Sequence, residues 1–118
     1  MPSNIYNVDM SDVLGVFEQA VLVTVVRLRG DGYGRTILKD AQARLNRNVA
    51  ASAVYATLDR LEAKGLVTSR EGTGTSVRGG RTKRHFAVTT AGLRALDDAR
   101  TTTANIWRGL AWPLKGRS

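Results

Sequence analysis

In the first third of the chain, Leu14, Phe17, Val21, Val25 and Leu28 recur at spacings of three or four, the stripe of an amphipathic helix. Ser11 is placed to cap it, with Asp12 in the first turn, where the helix dipole favours an anion. The β-branched run Val21–Val26 pulls toward a buried strand. The helical period continues on both sides of that run, so a helix is expected, ended by the turn residues Gly30-Asp31-Gly32. A second helix opens at Tyr33-Gly34, with Ile37, Leu38, Ala41 and Leu45 on one face and a polar turn at Asn46-Arg47-Asn48. The third is expected from about Ala51 to Lys64, turning Val54, Leu58 and Leu61 inward, with Gly65 as its stop. Ser52, Tyr55, Asp59 and Glu62 fall on the opposite side.

After Gly65 the period shortens. Leu66–Glu71 and Arg81–Val88 read as two strands of a hairpin with a glycine-rich tip between them. On the second strand Phe86 and Val88 share one face, Lys83 and His85 the other. Thr89 or Thr90 then caps a last helix carrying Leu93, Leu96, Ala99, Thr103, Ile106 and Leu110, with Pro113 as its stop. The order predicts a mainly α chain with a small β-hairpin: a winged helix-turn-helix followed by one C-terminal helix. The expected divisions are 1–10 as a polar lead-in, 11–89 as the winged domain, 90–113 as the last helix and 114–118 as a tail.

Composition narrows the function. The 118 residues contain no cysteine and one histidine, His85, so thiolate or His-cluster metal sites and a Ser-His-Asp arrangement find little material. His85 is expected to be a strand residue with a structural hydrogen bond, and Asp97-Asp98, pointing about 100° apart on a helix, a solvated face. No catalytic residue, metal or cofactor is therefore expected. The net charge is +8, and it is uneven: residues 1–26 carry −3 and residues 27–118 carry +11. A basic surface rich in Arg suits a polyanion such as nucleic acid, or an anionic membrane surface. The strongest local excess lies in the hairpin, where Arg70, Arg78, Arg81, Lys83 and Arg84 face one anion, Glu71, for a local charge of +4. No apolar run is long enough to span a bilayer and no secretion leader is visible, so a cytoplasmic location and no membrane partner are expected.

With these elements in place, the sequence resembles PadR-family transcriptional regulators. The resemblance rests on four stretches in one order: Leu14-Gly15 with Glu18; Tyr33-Gly34 leading to Ile37; Val54–Glu62 with Lys64-Gly65-Leu66-Val67; and Gly79–Phe86 running into Thr89 and Ala91-Gly92-Leu93. Two departures stand out. Ala50 occupies the place where similar sequences often carry a Ser or Thr cap, and His85-Phe86 replaces a pair of aromatics.

The resemblance makes the third helix the recognition element, with Ser52 and Tyr55 reaching DNA, Tyr55 through a phosphate. Arg47 in the preceding turn and Arg78, Arg81, Lys83 and Arg84 in the wing complete the expected DNA contacts. It also implies a homodimer through the last helix and the first. The heptad-like seam agrees, and Leu93, Leu96, Thr103, Ile106, Trp107 and Leu110 are the expected interface residues. Trp107 and Trp112 lie in or near that helix. Because some relatives sense phenolic or drug-like molecules, Trp107 is also a candidate contact for a small aromatic effector, although an interface anchor is the simpler role for a Trp there. The expected function is a sequence-specific regulator that represses by occupying a promoter. The rivals are a non-specific RNA- or ribosome-associated basic protein and a winged-helix protein–protein adaptor.

Overall fold

The computed structural model describes residues 13–72, 83–111 and 113. Ser11, Asp12, Arg78, Arg81, Trp112, the rest of the hairpin tip and the tail lie outside the described residues. The elements run α1 (Val16–Arg27), β1 (Gly32–Tyr33), α2 (Gly34–Leu45), α3 (Ala51–Ala63), β2 (Val67–Glu71), β3 (Arg84–Val88) and α4 (Thr90–Trp107).

The β-branched run is helical, and the reason is burial. Val21, Leu22, Thr24 and Val25 are all buried in α1, which is wrapped by α2, α3, α4 and β3. A helix enclosed on most sides tolerates apolar residues beyond a single stripe. Its polar exception, Thr24, donates to Asp40 Oδ2 at 3.1 Å, and Arg44 Nε donates to the same oxygen at 3.1 Å. The hydroxyl buried in the core is thereby satisfied. The core is completed by Ile37, Val54, Leu58, Leu61, Val67 and Phe86, with Leu14 and Ala99 at its edge.

Three sequence expectations are corrected. First, α1 begins at Val16, not after Ser11: Gly15 is extended, and its N–H donates to Glu18 Oε1 at 3.2 Å. Leu14 is buried, but from outside the helix. Second, the hairpin is part of a three-stranded antiparallel sheet of order β1-β3-β2. Gly32 pairs with Phe86 and Tyr33 with His85. Third, α4 ends at Trp107, well before Pro113, so Leu110 lies beyond the helix. The chain leaves it through Gly109 at φ 84°, a left-handed conformation that glycine accepts without a Cβ penalty.

The junction between sheet and last helix is tightly specified. Thr89 Oγ1 accepts from Gly92 N at 3.0 Å and donates to Gly65 O at 2.7 Å, so one hydroxyl caps α4 and ties it to the exit of α3. Gly92 lies so close to the Leu66 carbonyl and the Val88 side chain that a Cβ there would overlap both.

Candidate nucleic-acid interface

The N-terminal half of α3 turns one face to solvent. Val54, Thr57, Leu58 and Leu61 face the core, leaving Ser52, Tyr55 and Asp59 outward. Ala50 caps the helix with no side-chain hydrogen bond. Before it, Asn46 sits at φ 55°, a left-handed position that Asn tolerates, and Gln42 Nε2 donates to Val49 O at 3.0 Å. That bond fixes the turn carrying Arg47, which is exposed.

Tyr55 is about half-exposed, and its ring lies directly over Gly34, the first residue of α2; any Cβ at position 34 would overlap the ring. The absent side chain lets the start of α2 and the exposed face of α3 approach each other. Together with β3 they form an open groove of about 580 Å³ lined by Tyr33, Gly34, Arg35, Tyr55, Leu58, Asp59, Lys83, Arg84 and Phe86. Three of those side chains are cations and one is an anion.

The two described wing cations at this groove differ in what holds them. Lys83 Nζ stands 4.3 Å from the centroid of the Tyr33 ring, a cation–π contact that steadies the stem and leaves the residue exposed. Arg84 is held by neighbouring side chains on several sides. Its Nη2 donates to Glu62 Oε1 at 2.6 Å and to Ser69 Oγ at 2.9 Å, and its Nη1 lies 3.8 Å from Asp59 Oδ1. Its guanidinium carbon sits 5.1 Å from the Phe86 ring centroid. Ser69 in turn donates to Glu62 Oε2 at 2.7 Å. Arg70 also has an internal partner, donating to Gly30 O at 3.1 Å.

His85 departs from the structural hydrogen bond expected of it. Its Nδ1 is buried with no hydrogen-bond partner among the described residues, and its ring meets Tyr33 edge-on at 5.6 Å between centroids. The pairing of β1 with β3 brings these two rings together.

The structure thus gathers Tyr55, Lys83 and Arg84 of the expected DNA contacts around one groove and places Ser52 and Arg47 on the exposed start of α3 and the turn before it. Arg78 and Arg81 fall outside the described residues. Sequence reading missed Arg35 and Tyr33. The signal was the Tyr33-Gly34-Arg35 triplet, whose meaning depends on Tyr55 arriving from another helix.

The second half of α4 runs beyond the buried core. Gly92 and Ala99 are buried, and Leu96 is half-buried against the core. Every residue from Arg100 to Ala111 is exposed. Ile106 is 71% exposed, Trp107 48% and Leu110 53%, with Leu93 and Val16 also open.

A helical trio whose third helix faces outward beside a basic, three-stranded sheet defines a winged-helix protein. Residues 21–98 match the model of the transcriptional regulator PadR-like family, and the chain belongs to that family. Its members are transcriptional regulators and not enzymes. Among solved structures, the chain is similar to a PadR family transcriptional regulator from Eggerthella lenta, with 26% identity over 76% of each chain and a TM-score of 0.61. A PadR-like regulator from Bacillus cereus shares 20% identity and the fold, covering 80% of this chain and 94% of its own with a TM-score of 0.58. One from Clostridium difficile shares 22%, covering 80% and 100% with a TM-score of 0.59. No curated protein matches the sequence. Among the described residues, no helix is long and apolar enough to cross a membrane.

Proposed function

We propose that this chain is a sequence-specific DNA-binding repressor that acts as a homodimer. The observation that carries the reading is the groove where Tyr55 of α3, Arg35 of α2 and Lys83 beside β3 converge from three elements. Phosphates lie along both edges of a DNA groove, and contacts to them fix the register in which a helix presents its side chains to base edges. Ser52, at the start of α3, is the candidate for a base or phosphate contact, and Arg47 for a phosphate. Arg78 and Arg81 extend the same role along the wing.

The dimer is supported by the exposed second half of α4. A helix that shows Ile106 and Trp107 to solvent beyond the reach of its own core, with Leu110 exposed just past its end, gains most by burying them against a second copy. Two recognition helices would then read half-sites about one helical turn apart. Occupation of a promoter by such a dimer blocks transcription without any further contact. Trp107 is an anchor of this seam. An aromatic effector is the second reading of the same residue, favoured by its half-exposed position beside Ile106.

The test is a titration of DNA from upstream of the chain's own gene against scrambled DNA of equal length. It uses fluorescence anisotropy at about 150 mM salt, where non-specific binding is typically only 10⁻⁴–10⁻⁶ M. A preference of about a thousandfold is expected. Equal binding to both would favour a charge-driven RNA- or ribosome-associated protein, and no binding would favour an adaptor. Quenching of Trp fluorescence by an aromatic ligand, with loss of DNA affinity, would assign the effector role to Trp107.

A further inference from the structure

The recognition helix carries a charge of the wrong sign for its task. Asp59 and Glu62, at i and i+3 on α3, project from one side of it, and Asp59 lines the same groove as Tyr55 and Lys83. Bare carboxylates there would repel a phosphate held by Tyr55. The neighbouring cations Arg60 and Lys64 reach toward Glu18: Arg60 donates to Thr57 Oγ1 at 3.0 Å and lies 4.0 Å from Glu18, and Lys64 Nζ lies 3.2 Å from Glu18 Oε2. Arg84 covers the two carboxylates. It comes from a different element and is held by both carboxylates, by Ser69 and by the Phe86 ring.

We propose that Arg84 is a charge mask: it binds the two acids of the recognition helix and cancels their repulsion of DNA, instead of contacting a phosphate itself. This rests on the DNA-binding reading above and makes Arg84 a positioning residue within it. Arg suits the task because its planar fork engages two acceptors at once, which an ammonium cannot do in the same geometry. The acids in turn hold the base of the wing at a fixed distance from α3. Removing Arg84 therefore does more than subtract one cation, because it uncovers two anions beside the phosphate path.

The experiment is a double-mutant cycle on the full chain. Binding to a fluorescein-labelled duplex of random sequence is read by anisotropy at low salt, where charge terms are least screened. Arg84→Ala is expected to weaken binding about tenfold. Adding Asp59→Asn and Glu62→Gln to that variant is expected to restore binding to within about twofold of the unaltered chain. The same two changes made with Arg84 intact are expected to tighten binding by no more than about threefold, because the charges they remove are already masked.

Equal gains in both backgrounds would overturn the mask, as would a loss on Arg84→Ala that the neutral substitutions do not recover, the mark of a direct phosphate contact. A thermal melt establishes that each variant folds. Should Arg84→Ala fail to fold, Glu62→Gln alone decides: unchanged or tighter binding supports the mask, and weaker binding makes the pair a structural strut. If the unaltered chain does not bind the duplex at all, the DNA reading falls and the mask with it. Binding without rescue brings down the mask alone.

Discussion

The ring of Tyr55 rests on Gly34 so closely that the glycine's missing side chain is the space the ring occupies. Because Tyr55 is half-exposed, its ring can swing outward if that space is filled. Gly34→Ala is therefore expected to change the melting temperature little while lowering DNA affinity about as much as Tyr55→Ala does, roughly tenfold for one lost anchor. Tyr55→Phe keeps the packing and removes only the hydroxyl. It is expected to weaken binding by a similar factor on every sequence alike, since a phosphate contact carries no base preference. Anisotropy on two unrelated duplexes checks both variants, and a loss confined to one duplex would give Tyr55 a base-reading role.

Lys83 is the described wing cation whose contact is with an aromatic face instead of an acid. Its charge remains available to the groove. Lys83→Gln is expected to lower the slope of log affinity against log salt by about one, the loss of one phosphate contact. A salt series on the same duplex measures this, and an unchanged slope would remove Lys83 from the interface.

The junction at Thr89 makes a stability prediction independent of DNA. Its hydroxyl satisfies the Gly92 N–H and the Gly65 carbonyl together. Thr89→Ala is expected to cost about 1–2 kcal/mol, the upper part of the range for a helix cap. Ala50 offers the reverse case, since α3 starts there without a side-chain cap. Ala50→Ser is expected to gain about 0.5–1 kcal/mol. Urea unfolding of the two variants measures both signs.

How much of this was legible in the sequence follows from which interactions are local. The four helices are legible because hydrophobic periodicity is a local signal, and neighbouring residues alone narrow the cap of α4 to Thr89 or Thr90, whereas Ser11 points to a start of α1 ahead of the real one at Val16. The two-residue strand Gly32–Tyr33 has no period to show, and it forms because β3 supplies its hydrogen bonds. Pro113 signals a helix stop in the sequence, but α4 ends earlier, at Trp107, with Gly109 left-handed just beyond it. At the site, Tyr55 and Lys83 could be singled out by position and charge. Arg84 could be counted as a cation, but its commitment to Glu62 joins residues 22 positions apart and needed the fold to be seen. Arg35 was missed for the same reason.

The exposed end of α4 yields the last prediction. Ile106 is 71% exposed within one chain, so a charge there disturbs no packing of the monomer fold. In a dimer seam, the same charge would be buried opposite apolar side chains without a partner. Ile106→Glu is therefore expected to leave far-UV circular dichroism intact and to convert a dimeric mass at micromolar concentration to a monomeric one by sedimentation equilibrium. DNA affinity should fall by about a hundredfold or more, because a half-site bound alone loses the effective concentration that linkage supplies. A monomeric mass for the unaltered chain would remove the dimer from the proposal. A dimer that survives Ile106→Glu would move the seam toward Leu93 and Val16, where α4 begins and α1 starts.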